Sequence, residues 1–407
     1  MSISTPTVPD RINGIGRSGF GDAWVAGEIF QAPGRIELIG NHLDYNGGPV
    51  LAAAIDRKIA IGLSSDGIHG AIRVIFGDLG NRLVYTIEPP WPNDWRATSA
   101  TPEPVDYLRG TITALSGRGI RVRDGIDLVV SGDLPHGIGI SSSAALCVAL
   151  VLAVASERLE PGEIVLIAQE AEHRVGSPCG KMDQSTSVYG GLIRFDGASG
   201  DVVPVAADLR RHRLVVVNSG VVRSLATSAY PERVRETALA VQLLRERWRA
   251  DLTALAAIQI RELAEVVNAL ESAGESVLAK RVRHVVTETD RVHRAEQAIV
   301  DADWTTVGRL MTESGQSSAL DYEISHRQVE QVVTICRNHP GVRGARMMGG
   351  GQGGSALVLV AEEAVAGLLN RLDSDYFTEL GNDAPQIRTL PCTFAAGAGP
   401  LPVLQAS

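Results

Sequence analysis

Apolar and polar positions alternate in part over residues 28–39 (EIFQAPGRIELI) and again over 50–63 (VLAAAIDRKIAIGL), with β-branched residues in both stretches. A polar, glycine-containing segment at 40–48 lies between them, so the pattern predicts a strand pair framing a site. Residues 70–88 alternate again as strand material, whereas 89–104, with five prolines and two tryptophans, predicts an irregular connection. A helix follows over 105–117, then a strand over 125–132 that leads through Asp133, Leu134, Pro135, His136 and Gly137 into a serine cluster. The run from Ala144 to Ala155 is apolar throughout but about half the length a membrane span requires, so it predicts a buried helix. Another helix at 161–174 ends near Gly176 and Pro178. Residues 213–218 read as a buried strand, 231–313 as charged amphipathic helices, and 355–361 (SALVLVA) as a strand fed by a glycine cluster. Strands that do not simply alternate with helices imply a two-lobed α+β chain, not a doubly wound sheet.

The length, 407 residues with 44% hydrophobic and 21% charged, suits two packed lobes. Thirty-eight Lys and Arg against 47 Asp and Glu give a net charge of −9, and no long basic run interrupts the mixture, which disfavours nucleic acid as a partner. Cys147, Cys179, Cys336 and Cys392 lie far apart and form no CxxC pair, which argues against a zinc site or a disulfide framework. The first twenty residues carry no apolar block of the signal-peptide kind. A reducing, cytoplasmic setting without a membrane partner is expected.

The segment from Pro135 to Ala145 (PHGIGISSSAA) places small residues between a strand and an apolar helix. Gly137 and Gly139 allow close backbone approach, and Ser141, Ser142, Ser143 and Ala144 sit where unpaired amides and the helix dipole favour an anion. The same residues also fit a capped tight turn. No GxxxxGK[ST] occurs, since Gly180-Lys181 continues into Met182, and the protein-kinase motifs are missing. Gly349-Gly350-Gly351-Gln352-Gly353-Gly354 forms a second glycine-rich loop. Two such loops in separate lobes suggest a nucleotide clamped between them.

Three separated segments together resemble the GHMP kinase superfamily, and within it galactokinase. Residues 34–48 (GRIELIGNHLDYNGG) resemble the galactokinase signature GRVNLIGEHTDYNGG. The glycine-serine loop is similar to the superfamily's phosphate-binding motif, and residues 349–354 to its third motif, GGGFGG. Glu172-His173, residues 179–184 (CGKMDQ) and residues 222–231 (VRSLATSAYP) tie the chain to the sugar-kinase branch.

The resemblance implies a ribosomal-protein-S5-like N-terminal lobe over 1–175, rejoined by about 385–407, and a ferredoxin-like C-terminal lobe over 176–384, with the site in the cleft. It implies an ATP-dependent kinase for the anomeric hydroxyl of galactose or a similar sugar, with ATP and Mg²⁺ as cofactors. Asp183 would accept or orient the hydroxyl proton and Arg35 would stabilise charge on oxygen and phosphate. Ser143 and Glu172 would hold Mg²⁺; Asn41, His42, Asp44, Gly180 and Tyr230 would bind the sugar. Trp91, Trp95 and Tyr107 are candidates for the adenine pocket, with packing as the competing role.

Four departures from the family pattern bear on the sugar: Asn41 for glutamate, Leu43 for threonine, Lys181 for an apolar residue and Gln352 for an aromatic. Loss of the glutamate raises galacturonate, with Lys181 as a second partner, and L-arabinose as alternatives to galactose. A reading from another class is a galactokinase-like sensor of sugar and ATP that regulates transcription through a partner.

Overall fold

The computed structural model describes residues 6–79, 83–91, 94–99, 101–221 and 229–402. Helix α1 (Val8–Phe20) opens with a capping box in which Thr7 Oγ1 accepts from Asp10 N while the Asp10 carboxylate accepts from Thr7 N. The sequence pattern had suggested no element there. Strands β1 (Glu28–Ile39) and β2 (Pro49–Ser64) follow, then β3 (Ile72–Phe76), β4 (Val84–Ile87), α2 (Pro104–Gly117), β5 (Ile126–Gly132), α3 (Ser142–Val154), α4 (Pro161–Arg174), α5 (Met182–Tyr189), β6 (Leu192–Asp196) and β7 (Val202–Val205). The second half contributes β8 (His212–Asn218), α6 (Tyr230–Arg247), α7 (Leu263–Ser272), α8 (Ser276–Val300), α9 (Trp304–Leu320), α10 (Arg327–Arg337), β9 (Val342–Met348), β10 (Ser355–Ala361), α11 (Val365–Leu372), β11 (Thr389–Cys392) and β12 (Gly399–Pro400).

The large sheet runs β12-β1-β2-β5-β3-β4, with β6 and β7 added beside β2; β3 and β5 pair in parallel and the other pairs are antiparallel. Helix α3, apolar all round, is buried on β1 and β2 between α4 and α5, which is why its sequence carries no polar stripe. The small sheet runs β11-β8-β10-β9, entirely antiparallel, with α9 and α10 packed against it. Every residue of β10 is buried, matching its unbroken apolar run. The chain is therefore two-lobed α+β.

The lobes divide elsewhere than expected. Strands β6 and β7 still pair in the large sheet, so the chain changes sheets between Val205 and His212, well beyond residue 175. Its return falls between Cys392, still in the small sheet, and Gly399, paired with β1. Short strands that follow a helix carry too few residues for alternation to assign them to a sheet.

A buried polar seam joins the lobes at the end of β1. Glu288 of α8 accepts from Gly40 N at 2.9 Å, Ser314 Oγ at 2.6 Å and Arg291 Nε at 2.7 Å. His284, one turn earlier, contacts the Asn41 carbonyl through Nε2 at 3.2 Å. Arg346 of β9, fully buried, donates to the Leu38 carbonyl at 3.0 Å and to Glu37 Oε1 at 3.3 Å. Burial raises the Glu288 carboxyl, but Arg291, His284 and Arg346 outweigh it and bring it down to about 2. A folded-state value below the ordinary 4.5 contributes stability above pH 4.5 that is lost as the pH falls toward 2. Glu288→Gln is expected to cost about 3–5 kcal/mol at pH 7, as for a broken buried pair. Urea unfolding of both proteins checks this, and the gap must narrow between pH 4.5 and 2.

Candidate active site

Strand parity sets the floor of the cleft. Arg35 and Glu37 share one face of β1, and Ile36 and Leu38 enter the core on the other. Their partners across β2 are Ala54 and Ala52, small side chains that leave room for both charged groups. Register shifts between Pro33 and Arg35 and between Glu37 and Ile39 bracket the segment and bend it toward the cleft. Arg35 grips Asp183, in the first turn of α5, through Nε to Oδ1 and Nη2 to Oδ2, both at 2.7 Å, and its Nη1 donates to the Gly139 carbonyl at 2.8 Å. Burial alone would weaken the Arg35 charge, and Asp183 more than restores it.

Asp183 thus meets the glycine-serine loop directly. Ser141, with φ of 55°, precedes α3 and donates its hydroxyl to Asp183 Oδ2 instead of capping the helix. Gly137 and Gly139 take φ of 76° and 79°, the left-handed backbone that glycine adopts without strain. Gly137, Gly139, Ser141, Ser142 and Ser143 line a cleft of about 480 Å³ with Arg35, Glu172, Asp183, Gly349 and Gly350. The first-turn amides of Ser142, Ser143 and Ala144 lack partners within α3, so this end of the cleft suits phosphate.

Glu172, in the last turn of α4, is buried against this cleft. It accepts from Ser143 and from the amide of Gln184. Burial pushes its carboxyl up to about 7, the Ser143 hydrogen bond opposing and the Asp183 charge reinforcing the shift. Among the described residues no group of three His, Cys, Asp or Glu could hold a metal ion. Mg²⁺ takes one or two protein oxygens and completes its shell with phosphate and water, a requirement that Glu172 and Ser143, hydrogen-bonded at the phosphate end, fit.

Beyond Ser142 and Ser143 the cleft continues into an apolar cavity walled by Ile59, Phe76, Pro104, Tyr107, Leu134 and Leu146. Of the three aromatic candidates for an adenine pocket, Tyr107 lines it; Trp91 and Trp95 do not. The wall is assembled from four separate elements and their loops, so no local sequence pattern marks it.

On the other side of Arg35 and Asp183 lies a second cavity, lined by Glu37, His42, Asp44, Pro178, Cys179, Gly180, Met182, Tyr230, Gly349 and Gly350. Burial and the charge of Glu37 push the Asp44 carboxyl up to about 6. A Cβ on Gly180 would come within 3.0 Å of Asp44 Oδ2, so glycine lets the 179–181 turn close over that carboxylate. His42 packs against Tyr45, Tyr230 and Tyr322 with ring centres 5.2–5.6 Å apart, and its Nδ1 lies 2.8 Å from Tyr45 Oη. Tyr45 and Tyr322, which sequence reasoning missed, bridge the lobes through a 3.0 Å hydroxyl contact.

The residues expected to set the sugar fall differently. Asn41 is wholly buried outside this cavity; its Nδ2 donates to the Gly349 carbonyl at 2.8 Å and its Oδ1 has no partner among the described residues. The Lys181 ammonium lies against Gly200, also outside the cavity. Gln352 is exposed, its backbone N bonded to Ile324 O. Leu43 is core. Residues 222–228 of the stretch 222–231 lie outside the described residues.

Fold and cleft together define a GHMP kinase: matches to the GHMP kinases N terminal domain cover residues 106–191 and to the GHMP kinases C terminal domain residues 295–377. The Methanococcus jannaschii mevalonate kinase structure shares the fold, with a TM-score of 0.62 at 19% identity over 90% of this chain and 98% of that one. Residues 17–65 match the galactokinase galactose-binding signature. The galactokinase of Thermotoga petrophila is 33% identical over 361 residues, 87% of this chain and 95% of its own. That of Chloroflexus aggregans is 35% identical over 380 residues, 91% and 92% of the two chains. The crystal structure of Lactococcus lactis galactokinase complexed with galactose superposes with a TM-score of 0.83 at 26% identity, over 97% of this chain and 100% of that one. The chain belongs to the galactokinase family and is an ATP- and Mg²⁺-dependent sugar kinase.

The raised Glu172 carboxyl has a thermodynamic consequence. A folded-state value of about 7 against the ordinary 4.5 makes the ligand-free fold less stable as the pH rises between those values. Glu172→Gln is therefore expected to stabilise the ligand-free protein at pH 8 by about 1–3 kcal/mol, because it removes a buried charge. Thermal unfolding without nucleotide checks this, and the advantage must disappear below pH 4.5.

Proposed function

We propose that this enzyme transfers the γ-phosphoryl group of ATP to the anomeric hydroxyl of galactose. The observation that carries the reading is the position of the Arg35–Asp183 pair, which borders both the sugar-sized cavity and the phosphate end of the nucleotide cleft. An acceptor hydroxyl and a terminal phosphate entering from the two sides meet there, the arrangement in-line transfer needs.

In this reading Asp183 takes or orients the hydroxyl proton, and Arg35 balances charge on the attacking oxygen and the phosphoryl group. Ser141 holds Asp183 in place. Asp44, His42, Gly180 and Tyr230 position the sugar, while Gly137, Gly139, Ser142, Ser143 and Ala144 receive the phosphates. Ser143 and Glu172 would hold Mg²⁺, which would supply neutralisation of charge on the phosphates. The tyrosine-lined cavity takes the adenine ring. Small-molecule sugar and ATP are the partners, and the setting is cytoplasmic; no helix among the described residues is long and apolar enough to cross a membrane. Galacturonate and L-arabinose lose their motive, because Asn41 and Lys181 lie outside the sugar cavity.

ADP release measured over a panel of galactose, galacturonate, L-arabinose and glucose tests the substrate, and absence of turnover with every sugar would favour the sensor reading. Asp183→Asn is expected to bind ATP normally and to lower turnover by roughly 10²–10⁴-fold, the range for a positioned acid-base group. Near-native turnover would remove Asp183 from that role.

A further inference from the structure

The mechanism above leaves one buried charged group of the sugar cavity without a task. Glu37 lines the cavity, its side chain is 9% exposed, and it lies two residues beyond Arg35 on the same face of β1. Arg346 takes Oε1 at 3.3 Å; Oε2 accepts no hydrogen bond among the described residues. That oxygen opens onto the cavity, where a ligand hydroxyl can donate to it. Burial raises the Glu37 carboxyl, and Arg346 and Arg35 act against that rise.

Two residues along an extended strand span about 6.6 Å. Arg35 marks the anomeric end of the sugar, so Glu37 faces the ring edge away from the reacting carbon. The signature quoted above has asparagine where Glu37 stands and glutamate where Asn41 stands, so amide and carboxylate have changed places. Only the carboxylate at 37 reaches the cavity; the amide at 41 is turned to the Gly349 carbonyl.

We infer that Glu37 is a specificity-determining residue of the sugar pocket, whose Oε2 accepts a hydrogen bond from a ring hydroxyl remote from the anomeric carbon while Arg346 fixes Oε1. This rests on the sugar-kinase reading of the cavity and adds the class of sugar it selects: a neutral hexose with a hydroxyl donor at that edge, against sugars carrying an anionic group there. A site built to receive a hydroxyl rejects an analogue that lacks it, because its own buried acceptor is then left unpaired.

The test is kcat/KM of the full-length enzyme with galactose, its 2-, 3-, 4- and 6-deoxy derivatives and galacturonate, for the native protein, Glu37→Gln and Glu37→Asp. The native enzyme should lose at least about tenfold with one deoxy derivative, the size of one charge-assisted hydrogen bond. In Glu37→Gln that penalty should shrink to a fewfold, and the galacturonate-to-galactose ratio should rise at least about tenfold. Glu37→Asp keeps an anion for Arg346 but withdraws it from the cavity, so it should fold normally and still lose the deoxy penalty; it decides the matter if Glu37→Gln does not fold. Unchanged deoxy and galacturonate ratios in the folded variants would overturn the proposal and leave Glu37 as a partner of Arg346 alone. If native enzyme does not use galactose, the substrate reading fails separately, and the same ratios are taken on deoxy derivatives of the sugar it does use.

Discussion

Strand β1 is buried on both sides and yet carries Arg35 and Glu37 on one face, and this constraint organises the molecule. A charge inside a protein has to be paired and hydrogen-bonded or the fold does not hold it ionised. Arg35 is satisfied from within the large-sheet lobe, by Asp183 of α5 and the glycine-serine loop. Glu37 is paired through Oε1 from the other lobe, by Arg346 of β9, which also binds the backbone of β1. One strand therefore fixes the Arg35–Asp183 pair and anchors the second lobe across the cleft. The Glu288 cluster repeats the device a few residues later at Gly40.

The same arrangement leaves the ligand-free cleft electrostatically unrelaxed. Glu37, Asp44 and Glu172 are each raised, in every case with burial as the largest cause and a neighbouring carboxylate contributing. Carboxylates gathered in a low-dielectric cleft repel one another, and the groups that relieve them are those a kinase reaction brings: hydroxyl donors on the sugar side and a divalent cation on the phosphate side. Arg35, paired with Asp183 between the two sets, offsets part of that repulsion. Stability is given up in the empty enzyme at the positions where binding restores it.

Much of this was legible in the sequence where one physical signal dominated. Alternation marked β1 and β2, continuous apolarity marked α3 and β10, and the motif around Gly34–Gly48 pointed to the fold and chemistry. Elements held by tertiary contact were not legible. Helix α1 closes a small cluster with Trp24, Ile29 and Ile75, and β12 is two residues added to the edge of β1. The apolar cavity beyond Ser142 and Ser143 draws its walls from residues between Ile59 and Leu146. The bridge from Tyr45 to Tyr322 joins positions far apart in the chain, and no periodicity predicts such a pair.

In this structure Asn41 lies outside the lining of the sugar cavity, for an instructive reason. Its position in the motif suggested contact with the sugar, but Gly40, with φ of 112°, turns the chain there and sends the Asn41 amide to Gly349. Strand parity was the better guide: a residue two beyond a cleft-facing arginine must face the cleft, and that residue is Glu37. Two like charges about 4 Å apart at an effective dielectric near 20 repel by roughly 4 kcal/mol, so a uronic acid is favoured only by a cavity without a carboxylate. This cavity holds Asp44 and, beside Arg35, a carboxylate at 37. Arg346 offsets part of its charge from behind. The front of the pocket therefore presents acceptors, and a sugar whose hydroxyls donate to them fits where a second anion does not.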